Sequence, residues 1–130
     1  MHTQRLKEDE QGQTMVEFAI LLPVLLVMLF GIIQFGIVFN NYLALTDAVR
    51  AGAREAAVAR QTADPGGAAT AAVRSSAADL NQSNLSVTVT SGWTPGSDVT
   101  VAASYPFSIS LLGWVVTTGS LKSQTTERVE

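Results

Sequence analysis

The chain has 130 residues, enough for one small domain, with 47% hydrophobic residues, a formal net charge of −3 and no cysteine. The lack of cysteine excludes disulfides and cysteine-ligated metal sites, and the small acidic net charge gives no basic footprint for nucleic acid. Most of the apolar excess lies between Met15 and Phe39, so the composition predicts an anchored protein and not a polytopic one.

Residues 1–12 form a short polar leader that contains Arg5 and Lys7. Lys and Arg within about 15–20 residues of a membrane helix favour the cytoplasmic side. Arg5 and Lys7 lie close to the start of the helix, whereas Arg50 and Arg54, on the other side, lie near the limit of that distance. We therefore predict a cytoplasmic N-terminus and an extracytoplasmic C-terminal domain.

A membrane-spanning helix is predicted over residues 13–39. From Phe18 to Phe39 the chain runs 22 residues without a charge, which as a helix spans roughly 33 Å against a hydrocarbon core of about 30 Å. This stretch exceeds the apolar region of about 7 to 15 residues in a cleaved secretory signal. Pro23 lacks the amide hydrogen that would bond to Ala19 and predicts a kink. That kink is either tolerated as in other membrane helices or used in extraction and filament packing.

The helix is predicted to continue beyond the bilayer over residues 40–62, because this segment is rich in alanine and has no proline. Small residues recur in it every four positions, at Ala44, Ala48, Gly52 and Ala56. This stripe is either a face for close helix packing and assembly or a simple result of high helix propensity.

Residues 63–130 are predicted to form a small extracytoplasmic domain. Asp64-Pro65-Gly66-Gly67 is read as a break, followed by a second helix over 68–80 with an apolar stripe at Ala69, Ala72, Val73, Ala77 and Leu80. Alternation of apolar and polar residues then predicts two strands, from Leu85 to Thr90 and from Val99 to Tyr105, paired as an antiparallel hairpin.

The end of the chain is less well determined by pattern. The continuous apolar run Leu111–Val116 fits either a buried strand or an apolar helical turn near the bilayer surface, and periodicity does not separate them. A polar last strand, at an edge of the sheet, is predicted over 121–129. The predicted fold class is therefore α+β and pilin-like: a long N-terminal helix, a short second helix and about three or four antiparallel strands.

Glu17 is the residue with the clearest chemical interest. An acid in the first turn of a helix is stabilised by the macrodipole by about 0.3 to 1 kcal/mol and needs no function. However, a carboxylate at the edge of a membrane is costly unless it is paired. If the chain were cut after Gly12, the new α-amino group of Gln13 would lie four residues away and would neutralise this carboxylate, or one on a neighbouring helix.

These residues carry a family resemblance. The segment from Gly12 to Pro23, GQTMVEFAILLP, together with Phe35-Gly36 and the segment AGAREAA at 51–57, is similar to the TadE-like family of minor pilins, or pseudopilins, of the tight-adherence pilus system. The resemblance implies cleavage between Gly12 and Gln13 by a membrane aspartyl prepilin peptidase. It assigns recognition of the cleavage site to Gly12, Gln13, Glu17 and Phe18, with Phe18 in place of the tyrosine usual in Flp-type pilins.

The resemblance predicts a TadE-like minor pilin in the inner membrane that takes part in assembling a type IVb, Flp-type pilus. Its partners would be the lipid bilayer, the prepilin peptidase and other pilin subunits and assembly proteins, with helix packing through Glu17, Pro23 and the small-residue stripe. The alternative is an uncleaved, single-pass envelope protein whose outer domain binds a surface partner.

An enzyme is not predicted. The only histidine, His2, lies in the leader, and no spacing of Ser, Asp and Lys indicates a nucleophile with its base. No catalytic residue, cofactor site, metal site or small-molecule substrate is expected from this set of residues.

Overall fold

In a computed structural model of the chain, the backbone of residues 2–130 and the side chains of residues 10–130 are described. The order of elements is α1 (His2–Val58), a 3₁₀ turn (Ala59–Gln61), α2 (Pro65–Ser76), β1 (Ser86–Ser91), β2 (Asp98–Leu111) and β3 (Trp114–Arg128). A long apolar helix, a short second helix and a three-stranded antiparallel sheet confirm the predicted α+β, pilin-like fold. The leader residues His2, Arg5 and Lys7 lie outside the described side chains.

α1 is one unbroken helix of 57 residues, about 86 Å long, and it runs through Pro23. α1 ends at Val58, and the 3₁₀ turn that follows carries the helical path on to Gln61. There Thr62 closes the end: both its amide and its hydroxyl donate to the carbonyl oxygen of Ala59, at 2.9 and 2.7 Å. The leader, the membrane segment and the extension are thus parts of a single helix.

α2 begins three residues earlier than predicted and ends at Ser76, not Leu80. The sequence Asp64-Pro65-Gly66-Gly67 does end the first helix, but it also starts the second. Proline is compatible with the first helical position, where no amide donor is needed. The Asp64 carboxylate accepts a hydrogen bond from the Gly67 amide at 2.9 Å and so caps the helix. Of the predicted apolar stripe, Ala69, Val73, Ala77 and Leu80 are buried and Ala72 is half-buried.

The sheet has the order β1-β2-β3, with both pairs antiparallel. The predicted first hairpin is confirmed: β1 pairs with β2 from Ser86↔Ser104 to Ser91↔Val99. The predicted edge position of the last strand is also confirmed, but β3 starts at Trp114 and not at Leu121.

The run Leu111–Val116 is neither of the two alternatives predicted for it. It is the tip of the β2–β3 hairpin, in which Leu111 pairs with Trp114 across a two-residue turn. Leu112 and Gly113 both have positive φ, 51° and 85°, the backbone pattern of a type I′ turn. Asn-Gly is the usual sequence for this turn. Because leucine occupies the first position here, the sequence pattern did not predict a turn.

The core lies between one face of the sheet, α2 and the last four turns of α1. Its fully buried larger side chains are Leu45 and Val49 from α1, Val73 from α2, Val99 and Val101 from β2, and Val129 after β3. Three hydrogen bonds hold the α2–β1 loop. The Arg74 guanidinium donates to the carbonyl oxygens of Gln82 and Leu85, at 3.0 and 3.3 Å, and the Gln82 amide donates to the carbonyl of Ala77 at 2.8 Å. This packing fixes the domain directly on the C-terminal end of α1.

Candidate functional site: the exposed helix around Gly12 and Glu17

The predicted cleavage segment lies on the exposed surface of α1. Gly12, Gln13, Glu17 and Phe18 are all exposed to solvent. A Cβ atom placed on Gly12 would have no heavy atom within 4 Å, so packing does not require glycine at this position. The helix itself disfavours it, because glycine in a helix interior costs roughly 0.5–1 kcal/mol relative to alanine. The glycine therefore has no structural explanation in the described fold.

The Glu17 carboxylate points toward residue 13. Its Oε1 accepts a hydrogen bond from the Gln13 side-chain amide at 3.0 Å, one turn earlier on the same face. Side chains on a helix lean toward its N-terminus, which explains the direction of the contact. One residue on, the Thr14 hydroxyl donates to the Glu10 carbonyl at 2.9 Å, across the Gly12–Gln13 bond. The acid is thus already directed at the residue that would become the new N-terminus.

The macrodipole does not explain Glu17 in the full-length chain. The helix begins at His2, and its first turn contains no acid. Glu17 lies about four turns into the helix, whereas the dipole effect falls off within the first turn. The acid would enter the first turn of a helix only if that helix started near Gln13.

Beyond this segment α1 presents large apolar side chains outward on all sides. Within residues 10–130 one helix, Glu10–Gln61, is long and apolar enough to cross a membrane, and none of its most apolar stretch is buried. The most exposed apolar side chains here are Met15, Ile20, Ile32 and Phe35. Such exposure is unfavourable in water and favourable in lipid, as expected of a membrane anchor. Pro23 lies inside this segment, and its predicted role in assembly stays a prediction.

The small-residue stripe lies under the chain's own domain. Ala48, Gly52 and Ala56 are buried and Ala44 is half-buried. A Cβ on Gly52 would overlap Val73 Cγ2 and would lie 3.2 Å from the Ala69 carbonyl oxygen, so the helix that approaches closely is α2. The stripe serves packing within the chain in this structure. The predicted role of the stripe in assembly stays a prediction, and in this structure α2 already covers the stripe.

The remaining polar groups do not gather into a second site. Within residues 10–130, no group of three or more His, Cys, Asp or Glu side chains is close enough to hold a metal ion. Arg50 and Asp47 form an exposed ion pair at 3.8 Å on the surface of α1. The outer face of the sheet carries a shallow, open depression lined mainly by Ser86, Thr88, Ser104, Lys122 and Gln124.

Sequence reasoning missed one exposed feature, the hairpin tip. Leu112 and Trp114 are 71% and 81% exposed, and Val115 and Val116 follow them on the surface. Two signals were available in the sequence: no charged residue occurs from Val99 to Leu121, and Gly113 follows directly on an apolar pair.

Comparison with known proteins bears on the helix alone. Residues 12–54 match the family model described as TadE-like protein. The match starts at Gly12, includes Glu17 and the whole apolar segment, and stops four residues before α1 ends at Val58. No curated protein and no solved structure matches the chain. The resemblance predicted from the cleavage segment is thereby confirmed for this part of the chain.

Proposed function

We propose that this chain, whose anchor is TadE-like, is a minor pilin that takes part in assembly of a tight-adherence, Flp-type pilus after cleavage between Gly12 and Gln13. The observation that carries the proposal is the family match, which begins at Gly12. The family is associated with the Tad pilus and is structural rather than enzymatic. The proposed role is accordingly structural.

The anchor would hold the protein in the inner membrane, with residues 1–12 in the cytoplasm and the sheet domain outside. The arrangement of α1 supports this, because exposed apolar side chains on every face suit lipid, and the folded domain follows immediately. Lateral packing against other pilin subunits and assembly proteins would then use the outer surface of the anchor, since the small-residue stripe is covered by α2.

Cleavage requires local unwinding of α1. The Gly12–Gln13 peptide bond lies inside a continuous helix, where the coiled backbone does not fit an extended protease subsite. Glycine lowers the cost of opening the helix at this point by roughly 0.5–1 kcal/mol relative to alanine, and its lack of a side chain leaves the bond open to approach. Processing therefore offers a reason for glycine at position 12, whereas packing within the fold offers none.

After cleavage, the α-amino group of Gln13 and the carboxylate of Glu17 would lie one turn apart, with Glu17 now in the first turn of the shortened helix. The carboxylate already accepts a hydrogen bond from the Gln13 side chain, so only the partner atom would change. Neutralising the acid reduces the cost of holding it at the edge of the bilayer, on the same chain or between adjacent chains.

The alternative is an uncleaved membrane-anchored protein whose outer domain binds a surface partner. One observation favours it: the family match stops at residue 54, and most of the domain lies outside the matched segment. The intact mass of the protein isolated from its native host separates the two. Loss of residues 1–12 supports a processed pilin, whereas a full-length chain supports the alternative.

A matched pair of glycine variants tests the cleavage site. Gly12→Val should block processing and pilus formation, because a branched side chain then stands beside the bond to be cut. Gly36→Val is the control: it adds the same side chain to the same helix, and a Cβ there also meets nothing within 4 Å. Both proteins should reach the membrane, and only the Gly12 variant should keep the leader by mass spectrometry. Normal cleavage of the Gly12 variant would contradict the proposed site.

A second pair tests the carboxylate. Glu17→Ala should leave the protein in the membrane but reduce piliation, counted by electron microscopy, because the liberated amine then has no partner. Glu10→Ala removes an exposed carboxylate on the leader side of the cut and should have no effect on piliation. Equal piliation in the two strains would remove Glu17 from the assembly mechanism.

A further inference from the structure

The β2–β3 hairpin extends well beyond the rest of the sheet. β1 pairs with β2 only as far as Ser104, and from Tyr105 to Leu121 the sheet is a two-stranded ribbon. Within the ribbon Phe107 lies opposite Gly119, and a Cβ on that glycine would lie 2.8 Å from the phenyl ring, so the ring covers the facing strand. This contact packs the middle of the ribbon, and the positive φ angles of Leu112 and Gly113 define the turn at its tip.

The tip is apolar and exposed. We define the ribbon tip as residues 111–116, which contain the exposed side chains Leu112, Trp114, Val115 and Val116. The first charged residue on either strand is at some distance, Asp98 before the ribbon and Lys122 after it. Two-residue hairpin turns at the surface are usually polar, and an apolar tip of this size indicates a non-aqueous contact.

Two contacts fix the direction of the ribbon relative to α1. The Glu130 amide donates to the Ala57 carbonyl at 3.0 Å, at the end of α1 farthest from the anchor. Five residues nearer the anchor, Gly52 lies beside Val101, which pairs with Thr125 in β3. Moving along α1 toward the anchor therefore corresponds to moving along β3 toward the β2–β3 turn. The ribbon tip points back toward the membrane.

The ribbon is also long enough to reach the bilayer. From Val101 to Leu111 it extends about 33 Å, at about 3.3 Å per residue. From Gly52 to Phe39, the end of the uncharged segment, α1 covers about 20 Å, at 1.5 Å per residue. The two contacts above match each residue of β3 to about one residue of α1, so ten strand residues advance about 15 Å along the helix and bring the tip near the level of Tyr42. This level is about 5 Å from Phe39, within an interfacial layer of roughly 5–7 Å. On the core-facing side of α1, half-burial continues to Asn41, Val38 and Gln34, spaced three and four residues apart.

We propose that the ribbon tip inserts into the interfacial layer of the same bilayer that α1 spans, on the side where the domain lies. Trp114 suits the headgroup level, where the amphipathic indole ring is favoured. Insertion stays shallow, because the outer edges of a two-stranded ribbon carry unpaired backbone groups that need water or headgroups. The protein would then contact the membrane at two places, through α1 and through the ribbon tip. This inference depends on membrane anchoring and not on a pilus role.

The two tryptophans allow a direct test. Trp93 lies in the β1–β2 loop, at the end of the sheet away from the membrane, so each tryptophan reports one end of the domain. The full-length protein is placed in nanodiscs of phosphatidylcholine with brominated acyl chains, which quench tryptophan fluorescence on contact. In Trp93→Phe, which keeps Trp114, quenching should be at least ~2-fold and the emission blue-shifted. In Trp114→Phe, which keeps Trp93, emission should be unchanged by bromination.

Three outcomes overturn the proposal: no quenching of Trp114, equal quenching of both tryptophans, or a blue shift of Trp114 that depends on protein concentration and not on bromination. The last would assign the tip to a second protein copy. If Trp93→Phe fails to fold, since Trp93 packs against the core, the difference between wild-type and Trp114→Phe spectra reports Trp114 in the native background. The same outcomes then apply to the difference spectrum.

Discussion

The two halves of α1 show opposite uses of the same helix. From Met15 to Leu43 nearly all its apolar side chains are large and exposed, whereas from Ala44 to Ala59 the side chains facing the domain are mostly alanine and glycine and are buried. In lipid, large side chains cost nothing to expose, and no domain packs against them. Against α2 and the sheet, small side chains let two backbones approach closely. The side-chain size along one helix therefore marks where lipid ends and protein begins.

The largest expected effect in the packed half comes from Leu45, which is 0% exposed. Leu45→Ala should lower the free energy of unfolding of the domain by about 3 kcal/mol, because it leaves a cavity in the core. Leu43→Ala, two residues away and 48% exposed, is the matched control and should change it by less than ~1 kcal/mol. Urea unfolding of the full-length protein in micelles measures both. Similar losses would contradict the assignment of the two faces.

Gly52 gives the next effect and tests close approach. Gly52→Val should cost about 2 kcal/mol of unfolding free energy, because the added side chain overlaps Val73 and crowds the backbone carbonyl of Ala69, which cannot move aside. Gly36→Val makes the same change in the lipid-facing half, where there is open space, and should not destabilise the domain. If both variants melt at the same temperature as wild type, α2 does not pack on this stripe.

The smallest effect concerns the start of α2. Asp64→Ala removes the carboxylate that caps the Gly67 amide and should cost about 1 kcal/mol of unfolding free energy. Asp47→Ala removes an acid of the same size from an exposed ion pair on α1 and should change it by no more than ~0.5 kcal/mol. The same urea titration gives both values, and a larger loss for Asp47 would reverse the roles assigned to these two acids.

Much of the fold could be predicted because local pattern and tertiary structure agree. The length of the uncharged run to Phe39 and the alanine content of the extension predict α1, and alternation predicts β1 and β2 as far as Tyr105. The start of α2 was predicted three residues late, because Pro-Gly-Gly is a break inside a helix but is allowed in its first turn.

The rest depended on contacts that a single sequence does not display. The β2–β3 turn uses leucine where pattern rules expect asparagine or glycine, so its two strands appeared as one continuous apolar run. The small-residue stripe was visible, but which helix packs on it was not. For the cleavage site, the residue pattern alone led to Gly12 and Glu17. The structure added that the helix starts long before Glu17 and that nothing in the fold explains Gly12.

The absence of any break in α1 between Phe39 and Leu45 has a mechanical consequence. These positions are only about 9 Å apart along a continuous helix, with no hinge residue between them. A rotation of the anchor about its long axis turns the sheet through the same angle, and a force that lifts the anchor lifts the sheet by the same distance. Torque and displacement applied to the anchor are thus transmitted to the sheet domain through the helix.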